Sequence, residues 1–322
     1  MNKRIQRFRS GKVGKQVSAM GGILLALAAM IIALYFATPY FVTGTNLTNL
    51  LRQITTNALL AFGMTYCLIS GEIDLSVGST AAFGGVLIVT CLMKGMNLAL
   101  ALPLTLLVGL AIGVINGVVV CYTGMPAFIV TLAMQSIVRG LAYIISGNGR
   151  VKTTNTALFD LGNGTVGPIP IPTILVIACA VVLGVVLSRT VFGKHVYATG
   201  GNRSAAIYSG VNDKLVRIIV FTISSLLATM AGIIIASRVN SGQASVGDGY
   251  EGDAIAAAVL GGTSFTGGRG TVVGTIIGVF VIGILNNGLN LLEVSYYWQL
   301  VCKGLIILFA VYIDTVKRTR KQ

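Results

Sequence analysis

The chain has 322 residues, of which 55% are hydrophobic and only 10% are charged. A soluble domain carries about 25% charged residues, so this composition excludes a water-exposed globular surface and indicates a membrane protein. The net charge of +14 does not indicate a nucleic-acid partner, because the cations cluster beside apolar segments and no basic stripe carries interleaved aromatic residues.

Ten apolar segments follow one another along the chain, and each is predicted to form a transmembrane helix. A helix needs about 20 apolar residues to cross about 30 Å of hydrocarbon. The first segment is too long for a cleaved secretory signal and is predicted to be retained. The predicted spans are 19–36, 54–70, 76–93, 98–121, 126–146, 171–188, 216–237, 253–267, 271–291 and 296–313, of which 253–267 is short.

This pattern predicts an all-α fold, a polytopic membrane helix bundle of about ten transmembrane helices in one domain. The domain covers residues 19–314 and includes a polar loop at 189–217. Basic tails at 1–18 and 315–322 flank it. Sixteen Lys and Arg residues lie in the tails, the 189–217 loop and the turn at Arg269, against five on the opposite loops. Since positive loops stay in the cytoplasm, we expect both termini and the 189–217 loop to be cytoplasmic.

Small residues recur every four positions on three of the predicted helices, which places them on one helix face. Such faces let helix backbones approach closely in lipid. We therefore expect a compact bundle with close contacts at three rows: Gly109/Gly113/Gly117, Ala254/Ala258/Gly262 and Gly274/Gly278.

Two cations lie inside predicted spans, where a charge is costly unless it reaches water or a partner. Arg139 and Lys303 are each expected to extend to the interface or to pair with Glu251, Asp253 or Glu293. Asp74 and Glu72 are expected at the turn after the second span, near the lipid boundary. Asp74 is predicted to cap the following helix.

The composition of reactive side chains indicates that the chain is not an enzyme. It has one histidine, and its five cysteines are spread through apolar segments, so the sequence offers no metal site, disulfide framework or catalytic pair. The stretch from Gly262 to Arg269 lacks the Gly-Lys-Ser/Thr ending of a phosphate-binding loop. We expect a tight cytoplasmic turn there.

The 189–217 loop is predicted to contain a short helix. Asn202 can accept from the backbone N–H groups of its first turn, and Gly210 can end it in the left-handed conformation. A helix of about two turns is marginal by itself, so docking should stabilise it. It could rest on the lipid surface or fit a groove on a soluble partner.

From about Leu47 onward, motifs in this order resemble the ribose-type, monosaccharide ABC transporter permease family. They are Gly71-Glu72-Ile73-Asp74-Leu75-Ser76-Val77-Gly78-Ser79, Gly200-Gly201-Asn202, Ala205-Ala206, Ser209-Gly210-Val211-Asn212, the run from Asp253 to Ser264, Gly267-Gly268-Arg269-Gly270-Thr271, Asn286-Asn287-Gly288-Leu289-Asn290 and the segment from Tyr297-Trp298-Gln299 to Asp314. Within the loop, Arg203 and Ser204 stand where the family usually has an acidic residue, and Tyr208 where a basic one is common.

The resemblance implies a cobalamin-permease-like importer fold without a cofactor, in the bacterial inner membrane. It implies a dimer of permease subunits, homodimeric in the simplest case, surrounded by membrane lipid. A separate ABC ATPase subunit would hydrolyse ATP, and a periplasmic sugar-binding protein would deliver a monosaccharide, with ribose first among the candidates. The residues implied in coupling to the ATPase are Asn202, Arg203, Ala205, Ala206, Ile207, Tyr208, Ser209 and Gly210.

A neutral sugar needs hydrogen-bonding side chains along its path. Four buried amides are candidates for the translocation path, and hydrogen bonds between helices are the alternative role for them. They are Asn57, Asn116, Asn286 and Asn287. The alternative function is an ion-coupled secondary sugar carrier, which would normally place a charged site at mid-membrane. No acidic residue is expected there.

Overall fold

The structure, a computed structural model, describes residues 12–147 and 149–319. The predicted tail residues 1–11 and 320–322 lie outside the described part. Within it the chain is mostly helical. The helices are α1 Lys12–Ala37, α2 Gly44–Ile69, α3 Val77–Met93, α4 Leu98–Thr123, α5 Ala127–Ser146, α6 Thr156–Asn163, α7 Ile171–Arg189, α8 Val191–Gly201, α9 Arg203–Tyr208, α10 Asp213–Val239, α11 Tyr250–Leu260, α12 Val272–Leu291 and α13 Tyr296–Thr319.

Four short strands form two antiparallel pairs in the described part. They are β1 Arg150–Lys152, β2 Thr165–Val166, β3 Ile169–Pro170 and β4 Ser241–Gln243. Strand β1 pairs with β4, and β2 pairs with β3. The first pair ties the segment after α5 to the segment after α10, at one end of the bundle.

Five of the described helices, α4, α5, α7, α10 and α12, are long and apolar enough to cross a membrane. Shorter apolar stretches occur in α1, α3 and α13. Large apolar side chains are exposed on the outer helices, among them Leu107, Ile144, Val181 and Leu308. An apolar surface of this kind is stable in contact with lipid, and the chain is a polytopic membrane protein.

Helix α2 forms the centre of the bundle together with α10. Every residue of α2 from Ile54 to Ile69 is buried. Its N-terminal turns carry polar side chains, and Thr43 accepts from the N–H of Asn46. Helix α2 therefore starts ten residues before the predicted start at 54, because the apolar pattern begins later than the helix does.

Helix α11 differs most from its predicted span. It ends at Leu260, where Gly262 takes a φ of +90°. Its 11 residues rise about 16 Å, which is too short to cross a bilayer. The prediction of one helix over 253–267 is therefore wrong in extent.

The close contacts predicted at Gly109/Gly113/Gly117 and at Gly274/Gly278 are confirmed, whereas Gly262 lies beyond the end of α11 and a Cβ there would meet no atom within 4 Å. A Cβ on Gly113 would lie 2.6 Å from the Cα of Thr222, and one on Gly117 would lie 2.6 Å from the Cα of Ile218. Since both partners belong to α10, the glycine face of α4 packs backbone to backbone on α10. Helices α11 and α12 meet similarly, with Gly274 against Gly261 and Gly278 against the carbonyl of Ala257.

The two cations inside predicted spans have different partners. Lys303 Nζ lies 2.8 Å from Asp253 Oδ2, so one of the predicted carboxylate pairings is confirmed. Arg139 instead donates through Nη1 to the main-chain carbonyls of Ala244 and Val246. The carboxylate pairing, one of the two alternatives for Arg139, is not formed among the described residues, because the loop after β4 presents its carbonyls to the guanidinium.

Candidate functional site: the 189–217 loop and the ion pairs beneath it

The 189–217 loop contains two helices, α8 and α9, held by side-chain caps. Thr190 accepts from the N–H of Gly193 at the start of α8. Asn202 Oδ1 accepts from the N–H of Ala205 at 3.0 Å, and Gly210 has a φ of +83° just after α9. The predicted short helix with its two caps is confirmed.

Helix α9 presents most of its surface outward. Ala206 is buried, whereas Ile207 is 51% exposed and Tyr208 is 92% exposed. The other residues implied in coupling are also exposed: Asn202, Arg203, Ala205, Ser209 and Gly210. The helix therefore offers an apolar and aromatic tip at the surface of the described chain.

Helix α8 lies against the end of α2 and the turn between α11 and α12. A Cβ on Gly200 would overlap the carbonyl of Ile69, and the N–H of Gly268 donates to that same carbonyl at 2.9 Å. Tyr197 Oη donates to the carbonyl of Gly270 at 2.7 Å. The loop is thus fixed to the membrane helices at one end of the bundle.

Four charged side chains form a cluster beneath α9. Arg203 Nη2 lies 2.6 Å from Asp213 Oδ2, Arg217 Nη1 lies 3.7 Å from that same oxygen, and Arg217 Nε lies 2.6 Å from Glu72 Oε1. We call these four residues the ion-pair cluster. It holds two positive and two negative charges, and Glu72, Asp213 and Arg217 are buried.

The ion-pair cluster gives Glu72 a buried place beside Arg217, and its expected depth near the lipid boundary stays a prediction. Burial raises the pKa of Glu72, and the nearby guanidinium of Arg217 opposes that shift. The spacing of Asp213 and Arg217, one helical turn apart, is a signal in the sequence that could have suggested their pairing. Nothing local in the sequence links either residue to Glu72.

A cavity of about 190 Å³ adjoins the ion-pair cluster. Its lining includes Glu72, Arg203, Arg217, Cys121 and the turn at 124–127 between α4 and α5. Open space therefore borders the charged groups on the side of α4 and α5.

Asp74 lies two residues after Glu72 and is fully buried. Its Oδ1 accepts from the N–H and the hydroxyl of Ser76, and its Oδ2 accepts from Ser224 Oγ of α10 at 2.8 Å. The predicted capping role is wrong in detail, because the N-cap of α3 is Ser76, without a side-chain cap, and Asp74 accepts from the N–H of Ser76 in the turn before the helix. The bundle encloses Asp74, and its expected depth near the lipid boundary stays a prediction.

The first turns of α3 and α11 meet inside the bundle. A Cβ on Gly78 would overlap the carbonyl of Gly247 and lie 2.7 Å from Glu251 Oε2. The 70–76 loop begins at the end of the bundle where α2 stops. The segment after β4 begins at the opposite end of the bundle. The contact therefore requires non-helical backbone to enter the bundle, which explains why α11 is short.

The four amides predicted for a translocation path lie at different places. Asn57 is buried on α2. Asn116 Nδ2 donates to Ser76 Oγ, and Asn286 Nδ2 donates to Asp253 Oδ2. Asn287 exchanges two hydrogen bonds with Asn46. Three of the four thus form hydrogen bonds with other parts of the bundle, which is the alternative role. The structure does not bring the four together. Their part in translocation stays a prediction.

Comparison with known proteins places the chain among transport permeases. The family model described as the permease component of a branched-chain amino acid transport system matches residues 46–311. The ribose import permease protein RbsC of Bacillus subtilis (strain 168) is 43% identical over 298 residues, covering 92% of each chain.

Two arabinose proteins are nearly as similar. The L-arabinose transport system permease protein AraH of Escherichia coli (strain K12) is 39% identical, covering 98% of this chain and 95% of its own. The L-arabinose ABC transporter permease protein AraH of Azospirillum brasilense is 36% identical, covering 95% and 91%. No solved structure gives a significant match. The chain therefore belongs to the permease family of which these sugar importers are members, and it is an integral membrane permease of the bacterial inner membrane.

Proposed function

We propose that the chain is the membrane-spanning permease subunit of an ATP-driven importer for a monosaccharide, with ribose as the first candidate. The observation that carries this proposal is α9, a short capped helix with an exposed Ile207 and Tyr208. Such a helix is built to dock, since six residues are not stable alone. Relatives that cover nearly the whole chain are a ribose and two arabinose permeases, which supports a sugar as cargo.

The energy source lies on another chain in this proposal. An ABC ATPase subunit receives α9 in a groove and hydrolyses ATP, because the turn at Gly267-Gly268-Arg269 lacks phosphate-binding groups. That turn packs on Gly200 instead. A periplasmic sugar-binding protein delivers the substrate to the opposite end, and a second permease subunit, in the simplest case a copy of this chain, completes the pore within the lipid.

The membrane arrangement follows from the charge pattern. Ten membrane segments, in a cobalamin-permease-like fold, place both termini and the 189–217 loop in the cytoplasm. Helix α11 is about half as long as a membrane-spanning helix. The non-helical segment before it therefore covers the rest of the distance across the membrane. Irregular backbone at membrane depth is typical where a transporter lines its path. We place the sugar path near the meeting point of α3 and α11.

An ion-coupled sugar carrier is the second candidate, and Asp74 is the observation that favours it. Among the described residues, this buried carboxylate accepts from hydroxyl and N–H donors and forms no ion pair with a Lys or Arg side chain. Proton-driven carriers use carboxylates of this kind. The importer remains the preferred function, because a carrier has no use for an outward-facing α9.

The experiment that separates the two functions measures radiolabelled ribose uptake in cells that lack their own ribose uptake. The chain is expressed with its partner ATPase and binding protein. We expect unlabelled ribose to inhibit the uptake most strongly, arabinose to inhibit it less, and leucine to leave it unchanged. Uptake should stop when the ATPase is replaced by a hydrolysis-defective variant. If uptake continues with the hydrolysis-defective ATPase and is abolished by a protonophore, the chain is an ion-coupled carrier instead.

A further inference from the structure

We infer that the ion-pair cluster of Glu72, Asp213, Arg203 and Arg217 is a coupling relay between α9 and the loop that begins α3. The inference rests on the proposed function, because it assumes that α9 docks on an ATPase. Within that function it assigns positioning roles to four charged side chains, three of them buried. None of the four is required to touch the sugar.

The relay connects three elements: α9, α10 and the loop between α2 and α3. Arg203 belongs to α9 and binds Asp213, the first residue of α10, through both Nε at 2.9 Å and Nη2 at 2.6 Å. One turn further along α10, Arg217 contacts that same carboxylate and also Glu72. Glu72 lies in the loop between α2 and α3. A displacement of α9 is therefore passed to that loop through charged contacts.

Burial makes these contacts stiff and mutually dependent. The side chains of Asp213 and Arg217 are 5% exposed and that of Glu72 is 10% exposed. A buried charge that loses its partner is strongly destabilised, so the members of the relay move together or not at all. Arg217 contacts its two carboxylates through two different nitrogens, a geometry that the single ammonium of a lysine cannot reproduce.

The receiving end of the relay leads into the membrane. Two residues after Glu72, Asp74 binds Ser224 of α10, and Ser76 accepts from Asn116 of α4. The loop from Glu72 to Ser76 is thus fixed at two levels of α10, and α3 begins directly after it. The cavity beside the cluster leaves the charged groups room to shift. Movement of this loop reorients the first turn of α3, which meets the segment before α11.

The test uses the complete transporter, with ATPase and binding protein, reconstituted in proteoliposomes, and measures sugar molecules imported per ATP hydrolysed. Glu72→Gln is the central variant, because a buried Glu72 cannot belong to the surface that contacts the ATPase. Arg217→Lys keeps the charge but not the two-carboxylate geometry. Lys194→Ala, an exposed cation of α8, and Glu293→Gln, an exposed acid before α13, are the matched controls.

We expect Glu72→Gln and Arg217→Lys to lower the import per ATP by about fivefold or more, the range of typical allosteric couplings. Co-purification of the ATPase should stay near that of the wild type. The melting temperature of the complex should fall, because each variant weakens a buried ion pair, but the import per ATP is measured on assembled complexes alone. Arg203→Ala should lower the ratio as well, and the double variant Arg203→Ala/Glu72→Gln should be no worse than the poorer single variant. The controls should keep the wild-type ratio.

Wild-type ratios in Glu72→Gln and Arg217→Lys would overturn the relay while leaving the importer intact. So would a double variant whose loss is the product of the two single losses, because independent sites add in free energy. If Glu72→Gln fails to assemble, the charge-preserving Arg217→Lys decides by that same ratio. Absence of ATP-dependent uptake in the wild type would refute the proposed function itself.

Discussion

At three positions on α4, a hydrogen atom in place of a side chain sets the distance between two helices. Gly109, Gly113 and Gly117 all face α10, and a Cβ at each of them would lie within 3 Å of an α10 atom. In lipid, apolar side chains gain nothing by leaving the hydrocarbon, so packing of this kind supplies much of the association between helices. The fold depends on these contacts more than on the hydrophobic effect.

Gly113→Val should destabilise the protein, because its nearest neighbours would be backbone atoms of Phe221 and Thr222 that cannot move aside. We expect a loss of at least about 1–3 kcal/mol, seen as a lower melting temperature in detergent. Gly140→Val is the control, since a Cβ at that glycine has no neighbour within 4 Å. Equal melting temperatures for the two variants would contradict the backbone contact.

Lys303→Met should destabilise the bundle by leaving Asp253 without its cation. The pair spans α11 and α13, and Asp253 is buried, while the side chain of Lys303 is 23% exposed. Removing one partner of a buried pair costs about 3–5 kcal/mol, and partial exposure brings the expected loss nearer the lower value. Adding Asp253→Asn should restore much of the melting temperature. A double variant as unstable as Lys303→Met would refute the pairing.

Sequence reasoning succeeded for residues whose role is local and failed for those paired across the fold. The four-residue glycine spacing and the caps Asn202 and Gly210 act within one helix, so both could be predicted. The partner of Glu72 could not, because nothing near Glu72 in the chain encodes that Arg217 lies beside it. For Arg139 the sequence leaves the interface and a carboxylate as alternatives, because nothing in it indicates that main-chain carbonyls accept from the guanidinium.

At the scale of elements, α9 is the feature that the sequence predicted best and α11 the one that it predicted worst. A short helix in a polar loop can be predicted from its capping residues, which are local in the sequence. The apolar run at 253–267 has the composition of a span, yet the bundle ends its helix at Leu260. Hydropathy cannot reveal that the preceding segment enters the bundle without helical structure, since that depends on the contact between Gly78 and Gly247.

Replacing the tip of α9 should separate ATP hydrolysis from transport. In the Ile207→Ala/Tyr208→Ala variant the helix keeps its caps but loses its exposed apolar and aromatic groups. We expect weaker co-purification of the ATPase and at least about tenfold slower sugar uptake, because interface aromatics often contribute 2 kcal/mol or more. Tyr40→Ala, at another exposed tyrosine, on the turn after α1, is the control. Unchanged uptake in the double variant would exclude α9 as the docking element.

At the scale of the whole molecule, α2 and α10 form a buried centre and the outer helices carry apolar side chains. The sequence predicted this class of fold because composition and helix length are global properties. It left the positions of the buried amides undecided, since any of them can serve a path or a helix contact.

The orientation can be tested with two matched cysteine variants. In Tyr208→Cys the new thiol lies on α9, and in Tyr40→Cys it lies on the turn after α1, at the opposite end of the bundle. The native Cys67, Cys91 and Cys121 are buried. A membrane-impermeant maleimide should label Tyr40→Cys in spheroplasts and Tyr208→Cys only in inverted vesicles. The reverse pattern would place the termini outside.

The most direct test of the central claim is ribose uptake into proteoliposomes that contain the chain with and without its ATPase. With the ATPase, binding protein and internal ATP present, we predict accumulation of ribose against its gradient. Omitting the ATPase or ATP should abolish accumulation even when a proton or sodium gradient is imposed. Ribose accumulation by the chain alone, driven by such a gradient, would contradict the account.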